Sequence, residues 1–134
     1  MTKRLLTPLL LAACAAASVG ATAGGQKGRE PHPCEEFGSQ AEATGCAHRE
    51  YQAADAELNR VYKQLVAKVD AEEREFLKKA ETAWIKYRDA ECEFEDSFYA
   101  GGTIRPMINY FCMARVTKAR TAELRLQLKN LEDR

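Results

Sequence analysis

Trp84, Arg88 and Cys92 fall four residues apart in the stretch TAWIKYRDAEC, residues 82–92. On a helix that spacing puts a large aromatic ring, a permanent cation and a thiol on or near one face. Two chemistries suit such a trio. The ring and the cation could form an exposed patch that takes a ligand. Alternatively the ring packs a core, the cation ties helices together and the thiol staples one helix to the next. The second reading fits elementary costs better, because a cation on a buried stripe must be paired and hydrogen-bonded. Asp55 is the partner the pattern offers for Arg88, with Asn59 one turn beyond it. Thr117 and Arg120, three residues apart, bring polar groups to a third segment. Asp55, Asn59, Trp84, Arg88, Thr117 and Arg120 therefore read as a structural polar network between helices.

Catalytic chemistry finds little to stand on. Neither histidine has a recognisable Ser, Cys or Asp partner by motif. Glu91, Glu93, Glu95 and Asp96 are close enough in sequence to pair as acid and base. They crowd a helix C-terminus, where the dipole disfavours negative charge, and they read as surface. Gly101–Gly102 lacks the preceding strand and the Gly-Lys-Ser/Thr pattern of a phosphate loop. The mirrored His32-x-Cys34 and Cys46-x-His48 have zinc-compatible residue types, but their spacing matches no zinc pattern. The expectation is a non-enzymatic protein without metal or cofactor.

The cysteines and the N-terminus point outside the cytosol. Lys3 and Arg4 precede an apolar run, Leu5 to Val19, too short for an ordinary membrane span. Two processing readings stand open. Residues 1–23 end in Ala-Thr-Ala, which suits signal peptidase. Residues 1–13 followed by Cys14 resemble a bacterial lipobox, with Cys14 as the lipidated residue. Residues 24–33 form a small, polar tether, and 34–134 the folded domain. Either way four exported cysteines remain: Cys34, Cys46, Cys92 and Cys112. An oxidising compartment favours two disulfides. Three pairings are open to four cysteines. Cys92 and Cys112 stand at similar heights above a turn at Ala-Gly-Gly-Thr, so hairpin geometry favours Cys92–Cys112 and leaves Cys34–Cys46.

Three amphipathic segments position these groups. The first, about 41–69, carries Ala47, Tyr51, Ala54, Leu58, Val61, Leu65 and Val69 at helical spacing. Asp70 caps the second, about 71–99, after a turn tight enough to make the two antiparallel neighbours. Its heptad-like stripe runs through Leu77, Ala80, Trp84, Tyr87, Glu91, Phe94 and Phe98, and Gly101–Gly102 end it. The third starts at Ile104 or Arg105, with Pro106 in its first turn. Met107, Ile108, Phe111, Ala114, Ala119, Leu124, Leu128 and Leu131 form its less regular apolar side. The fold class is all-α: an antiparallel three-helix arrangement with two disulfides.

Charge is uneven. Residues 70–100 hold ten acidic and five basic residues, and residues 105–134 hold seven basic and three acidic. Oppositely charged neighbouring helices would attract weakly. Whole-chain charge is zero, which argues against nucleic acid as a partner.

These motifs, read in order, resemble a known family. Cys34, Cys46, ADAELNRVY at 54–62, AWIKYRDAEC at 83–92, Gly101–Gly102, Cys112, then Thr117, Arg120 and Leu124 are similar to the lysozyme inhibitor LprI-like N-terminal domain. Glu81 stands where that pattern leads one to expect Gln. The resemblance implies a secreted or lipid-anchored helical domain with disulfides, whose partner is a protein, lysozyme in the first instance. Lysozyme's cleft holds two carboxyl groups, and animal lysozymes are basic. Glu91, Glu93, Glu95 and Asp96 could meet a basic rim. The loop at 98–105, with Gly101, Gly102 and the cation Arg105, could enter the cleft. The alternative is a structural or accessory periplasmic module that binds another envelope protein.

Overall fold

A computed structural model describes Cys34 and residues 38–133 of the 134-residue chain. The expectations for residues 1–33, including Cys14 and the tether, lie outside the described residues.

Three helices follow in order: α1 Gln40–Lys68, α2 Ala71–Ser97 and α3 Arg105–Glu132. Local chemistry sets each boundary. Ser39 caps α1 by accepting from the Glu42 amide. Asp70 and Glu73 form a reciprocal capping box at the start of α2, each side chain accepting from the other's backbone amide. Only Val69 and Asp70 separate α1 from α2, so the chain reverses at once. Beyond α2, Gly101 takes a φ of 79°, a left-handed conformation open to glycine at no steric cost. Pro106 sits in the first turn of α3.

The helices are not equal neighbours. α1 and α3 run parallel and approach each other most closely, α2 lies antiparallel against α3, and α1 and α2 diverge beyond their shared turn. Cross-helix ion pairs follow that register. Glu50 meets Lys118, Glu57 meets Arg125 and Lys68 meets Glu132 between α1 and α3. Arg105, Arg115 and Arg120 of α3 reach Asp96, Glu95 and Glu81 of α2. The opposite charges of the second and third segments are thus brought side by side.

Two apolar clusters fill the interior. Leu58, Val61, Leu65 and Leu124 form one; Cys92, Cys112 and Val116 form the other. Trp84 packs against both and joins them. The α1 stripe lies inside as expected from its spacing. The α2 stripe does so only in part: Leu77 and Trp84 pack against the core, and the rest turns outward. The buried residues of α2 are Arg88, Cys92 and Asp96. Tyr87, Phe94 and Phe98 are 57%, 63% and 69% exposed. The reason is rotational: each residue turns the helix by about 100°, so Phe94 lies about 200° from Cys92. With Cys92 locked to α3, Phe94 must face away. On α3, Ala119 is likewise exposed, while Val116, Thr117 and Thr121 are buried.

Both disulfides are formed as hairpin geometry favours. Cys34–Cys46 and Cys92–Cys112 each have Cα atoms 5.5 Å apart. Both sulfurs of the second pair lie in fully buried residues.

Two outcomes follow from this architecture. Replacing Cys92 and Cys112 together by Ala should lower unfolding free energy by about 3 kcal/mol, the value for a loop of this length; urea melts of parent and double variant measure it. Glu57 supplies the second. A hydrogen bond from Arg60 first, with Arg125 added, pulls its carboxyl from 4.5 to about 2. A depressed carboxylate pKa contributes stability that is complete above 4.5 and is lost as pH falls through about 2. In Glu57→Gln, stability should therefore decline less than in the parent between those two pH values, read from melts across the acid range.

Candidate functional site

The polar seam is built around one guanidinium. Arg88, 8% exposed, projects from the inner face of α2 one turn beyond Trp84. Its Nε and Nη2 both donate to Asp89 Oδ1, at 2.9 and 2.7 Å. Its Nη1 lies 3.9 Å from Asp55 Oδ1 on α1. The guanidinium centre stands 5.2 Å from the Trp84 ring centroid and 5.7 Å from that of Tyr51. Such contacts contribute about 0.5–2 kcal/mol each. Asn59 orients Asp55, its Nδ2 donating to Asp55 Oδ2 at 3.0 Å and to the Asp55 carbonyl at 2.9 Å. Burial pushes the Tyr51 hydroxyl above its ordinary pKa, against the opposing pull of Arg88.

Further along the seam Arg120 and Glu81 face each other, 13% and 12% exposed. Arg120 Nε donates to Glu81 Oε1 at 2.9 Å, and Nη1 to Glu123 Oε2 at 2.7 Å. Burial opposes the Arg120 charge, but the hydrogen bonds it donates to Glu81 and Glu123 outweigh it and raise its pKa. Thr117 is fully buried and does not meet Arg120. Its Oγ1 has no hydrogen-bond partner among the described residues, a cost that buried hydroxyls seldom bear. Its carbonyl accepts from Thr121 Oγ1 at 2.9 Å.

The far end of α2 carries the acidic residues, and they divide. Asp96 is 6% exposed and accepts from Arg105 Nε at 2.8 Å and from Asn109 Nδ2 at 2.7 Å. Glu95 pairs with Arg115. Glu91 and Glu93 make no ion pair among the described residues. Beside them Phe94 and Phe98 stack edge to face with centroids 5.0 Å apart, and Tyr99 is exposed at the turn. The last turns of α2 before Gly101–Gly102 thus carry acidic and exposed aromatic residues. Cys34 and Cys46 are joined to each other, so their thiolates are not available as metal ligands. His48 packs on the Tyr110 ring at 4.6 Å.

Comparison with known proteins now has a geometry to explain. The lysozyme inhibitor LprI family matches residues 34–124, which spans both disulfides and the whole seam. This chain belongs to the LprI family. It is 38% identical over 119 residues to the uncharacterized protein R02472 of Rhizobium meliloti, covering 78% of this chain and 86% of that protein. It is 33% identical over 103 residues to the uncharacterized protein YecT of Escherichia coli, covering 66% of this chain and 63% of YecT. No solved structure matches.

In this LprI-family chain, Glu81 provides the carboxylate for Arg120. Tyr51 entered the sequence reading only as an apolar stripe residue, Tyr62 and Asp89 only as letters of their motifs, and Asn109 not at all. Asp89 sits next to Arg88, so its signal as a partner was adjacency alone. Asn109 had none beyond its place one turn inside α3.

Glu81→Ala should leave the shielded Arg120 with only Glu123. Losing one partner of a buried pair costs about 3–5 kcal/mol, and the remaining carboxylate places this case at the lower end. Glu81→Gln, which keeps an acceptor, should cost less. Chemical denaturation of the two variants beside the parent checks the ordering.

Proposed function

We propose that this protein is a non-enzymatic binding protein of the bacterial envelope that inhibits lysozyme through the Gly101–Gly102 end of α2. Family membership supports the target class. The observation that carries the reading is the surface where Glu91 and Glu93, which make no ion pair among the described residues, flank exposed Phe94 and Phe98. Exposed aromatic residues supply contact area at protein interfaces, and a ring of charge steers a partner of opposite sign. A basic lysozyme has that sign.

Arg105 gives the same end a positioned cation. Its Nε is anchored on Asp96, and among the described residues no second acceptor meets its terminal nitrogens. The side chain remains 43% exposed. A guanidinium fixed in this way loses little rotational freedom on meeting a carboxylate. A lysozyme cleft, with its two carboxyl groups, offers such an acceptor. Asp96 serves in this arrangement as the anchor of Arg105, while Glu91 and Glu93 face the rim. The two disulfides suit an oxidising extracytoplasmic compartment. Among the described residues no helix is long and apolar enough to cross a membrane. Attachment, where it exists, falls to the N-terminal segment: cleavage after residue 23, or lipidation of Cys14.

The oxidised protein at micromolar concentration should preserve the turbidity of a cell-wall suspension treated with animal lysozyme. Glu91→Lys combined with Glu93→Lys should weaken that protection about tenfold or more, and Arg105→Ala should weaken it without changing helical content. Absence of protection by the parent would instead support an accessory envelope module with another protein partner.

A further inference from the structure

α1 and α2 separate beyond their turn and leave a groove of about 260 Å³ between them. The two motifs ADAELNRVY and AWIKYRDAEC meet there. Leu58, Asn59 and Tyr62 line it from α1; Trp84, Ile85 and Arg88 line it from α2. We propose that this groove binds an uncharged sugar ring, a pyranoside, lying against Trp84 and held by Asn59, Tyr62 and Asp55.

Three features select that chemistry. First, the fixed charges cancel. The lining carries two cations, Lys78 and Arg88, and two carboxylates, Asp55 and Glu81. Arg88 is already met by Asp89 and Asp55, and Glu81 by Arg120. The lining charges sum to zero and most are already paired, which favours an uncharged ligand over an ion. Second, hydrogen-bonding capacity is left over. Asn59 gives its amide hydrogens to Asp55, which orients the carboxylate and leaves Asn59 Oδ1 as an acceptor. Among the described residues the Tyr62 hydroxyl has no partner, though it borders the groove. A polyhydroxylated ligand is both donor and acceptor and can satisfy all three. Third, the remaining wall is apolar. Leu58, Ile85 and the Trp84 ring give a surface for the C–H face of a ring, and the negative face of an aromatic system favours such contact. The size limits the ligand: the groove is smaller than the about 300–1,000 Å³ of clefts for drug-sized molecules. It suits one ring at a time, with the rest of a chain outside.

Trp84 is the only tryptophan in the sequence and lines the groove, so tryptophan emission comes from a residue at the proposed site. The probes are the β-1,4-linked trimers of N-acetylglucosamine and of glucose, titrated into the oxidised protein. A saturable change in emission with either trimer is expected. Asn59 is exposed, so Asn59→Ala should keep the parent's helical content and weaken binding about tenfold, equal to about 1.4 kcal/mol. Tyr62→Phe should weaken it as well. No saturable response to either trimer, or equal binding by parent and both variants, would overturn the proposal. The groove lies on the α1–α2 side and away from the Gly101–Gly102 end, so this outcome is independent of lysozyme inhibition.

Discussion

The Cys92–Cys112 bond constrains more of this molecule than any other single contact. α2 buries few apolar side chains. Its inner face presents Arg88, Cys92 and Asp96, a set that hydrophobic burial alone would push back into water. The covalent bond to α3 therefore does what an apolar stripe does elsewhere: it fixes both the position of α2 and its rotation. That rotation carries Trp84 inward to join the two apolar clusters. It also delivers Arg88 to Asp55 and Tyr51, Glu81 to Arg120, and Asp96 to Arg105 and Asn109. Each polar contact is affordable only because its partner is held in place.

Much of this was legible in the sequence, because the signals were local. Asp70 announces a helix start, Gly101–Gly102 a helix end, and the even spacing on the first segment its buried face. The match of Arg88 with Asp55 followed from counting residues back and forward from the turn at Asp70. The rotation of α2 was less accessible because two faces competed. Trp84, Arg88 and Cys92 lie on one line, while Tyr87, Phe94 and Phe98 belong to the regular apolar stripe. Periodicity weighs Phe above Arg as a core residue. A buried disulfide outweighs periodicity, so the line containing Cys92 turned inward. Helix order misled in a similar way. A tight turn makes α1 and α2 adjacent in sequence, yet the small side chains at Ala47, Ala54 and Ala114 let α1 and α3 approach more closely.

The inverted α2 has a second consequence. Aromatic residues that do not enter the core remain on the surface, where contiguous apolar groups ordinarily mark a contact with another molecule. Phe94 and Phe98 shield part of each other by stacking edge to face, but each is still mostly exposed. The same helix is acidic toward this end. Aromatic area together with carboxylates that make no ion pair among the described residues is better suited to a basic protein surface than to anionic lipid or nucleic acid, both of which repel negative charge.

Asp96 connects this surface to the interior. A carboxylate at a helix C-terminus opposes the dipole, and a buried one also loses its hydration. Both costs are offset by Arg105 and Asn109 reaching back from the first turns of α3. These contacts close the loop of residues 98–104 at its base. The turn containing Gly101–Gly102 is therefore tied to both α2 and α3, and Arg105 is directed by the same carboxylate that secures the turn. An outward cation fixed by an inward anion is held in place before any partner arrives. On the proposed reading it would meet a partner's carboxylate without first having to be ordered, and the disulfide Cys92–Cys112, one turn deeper, would keep the two helix ends from parting.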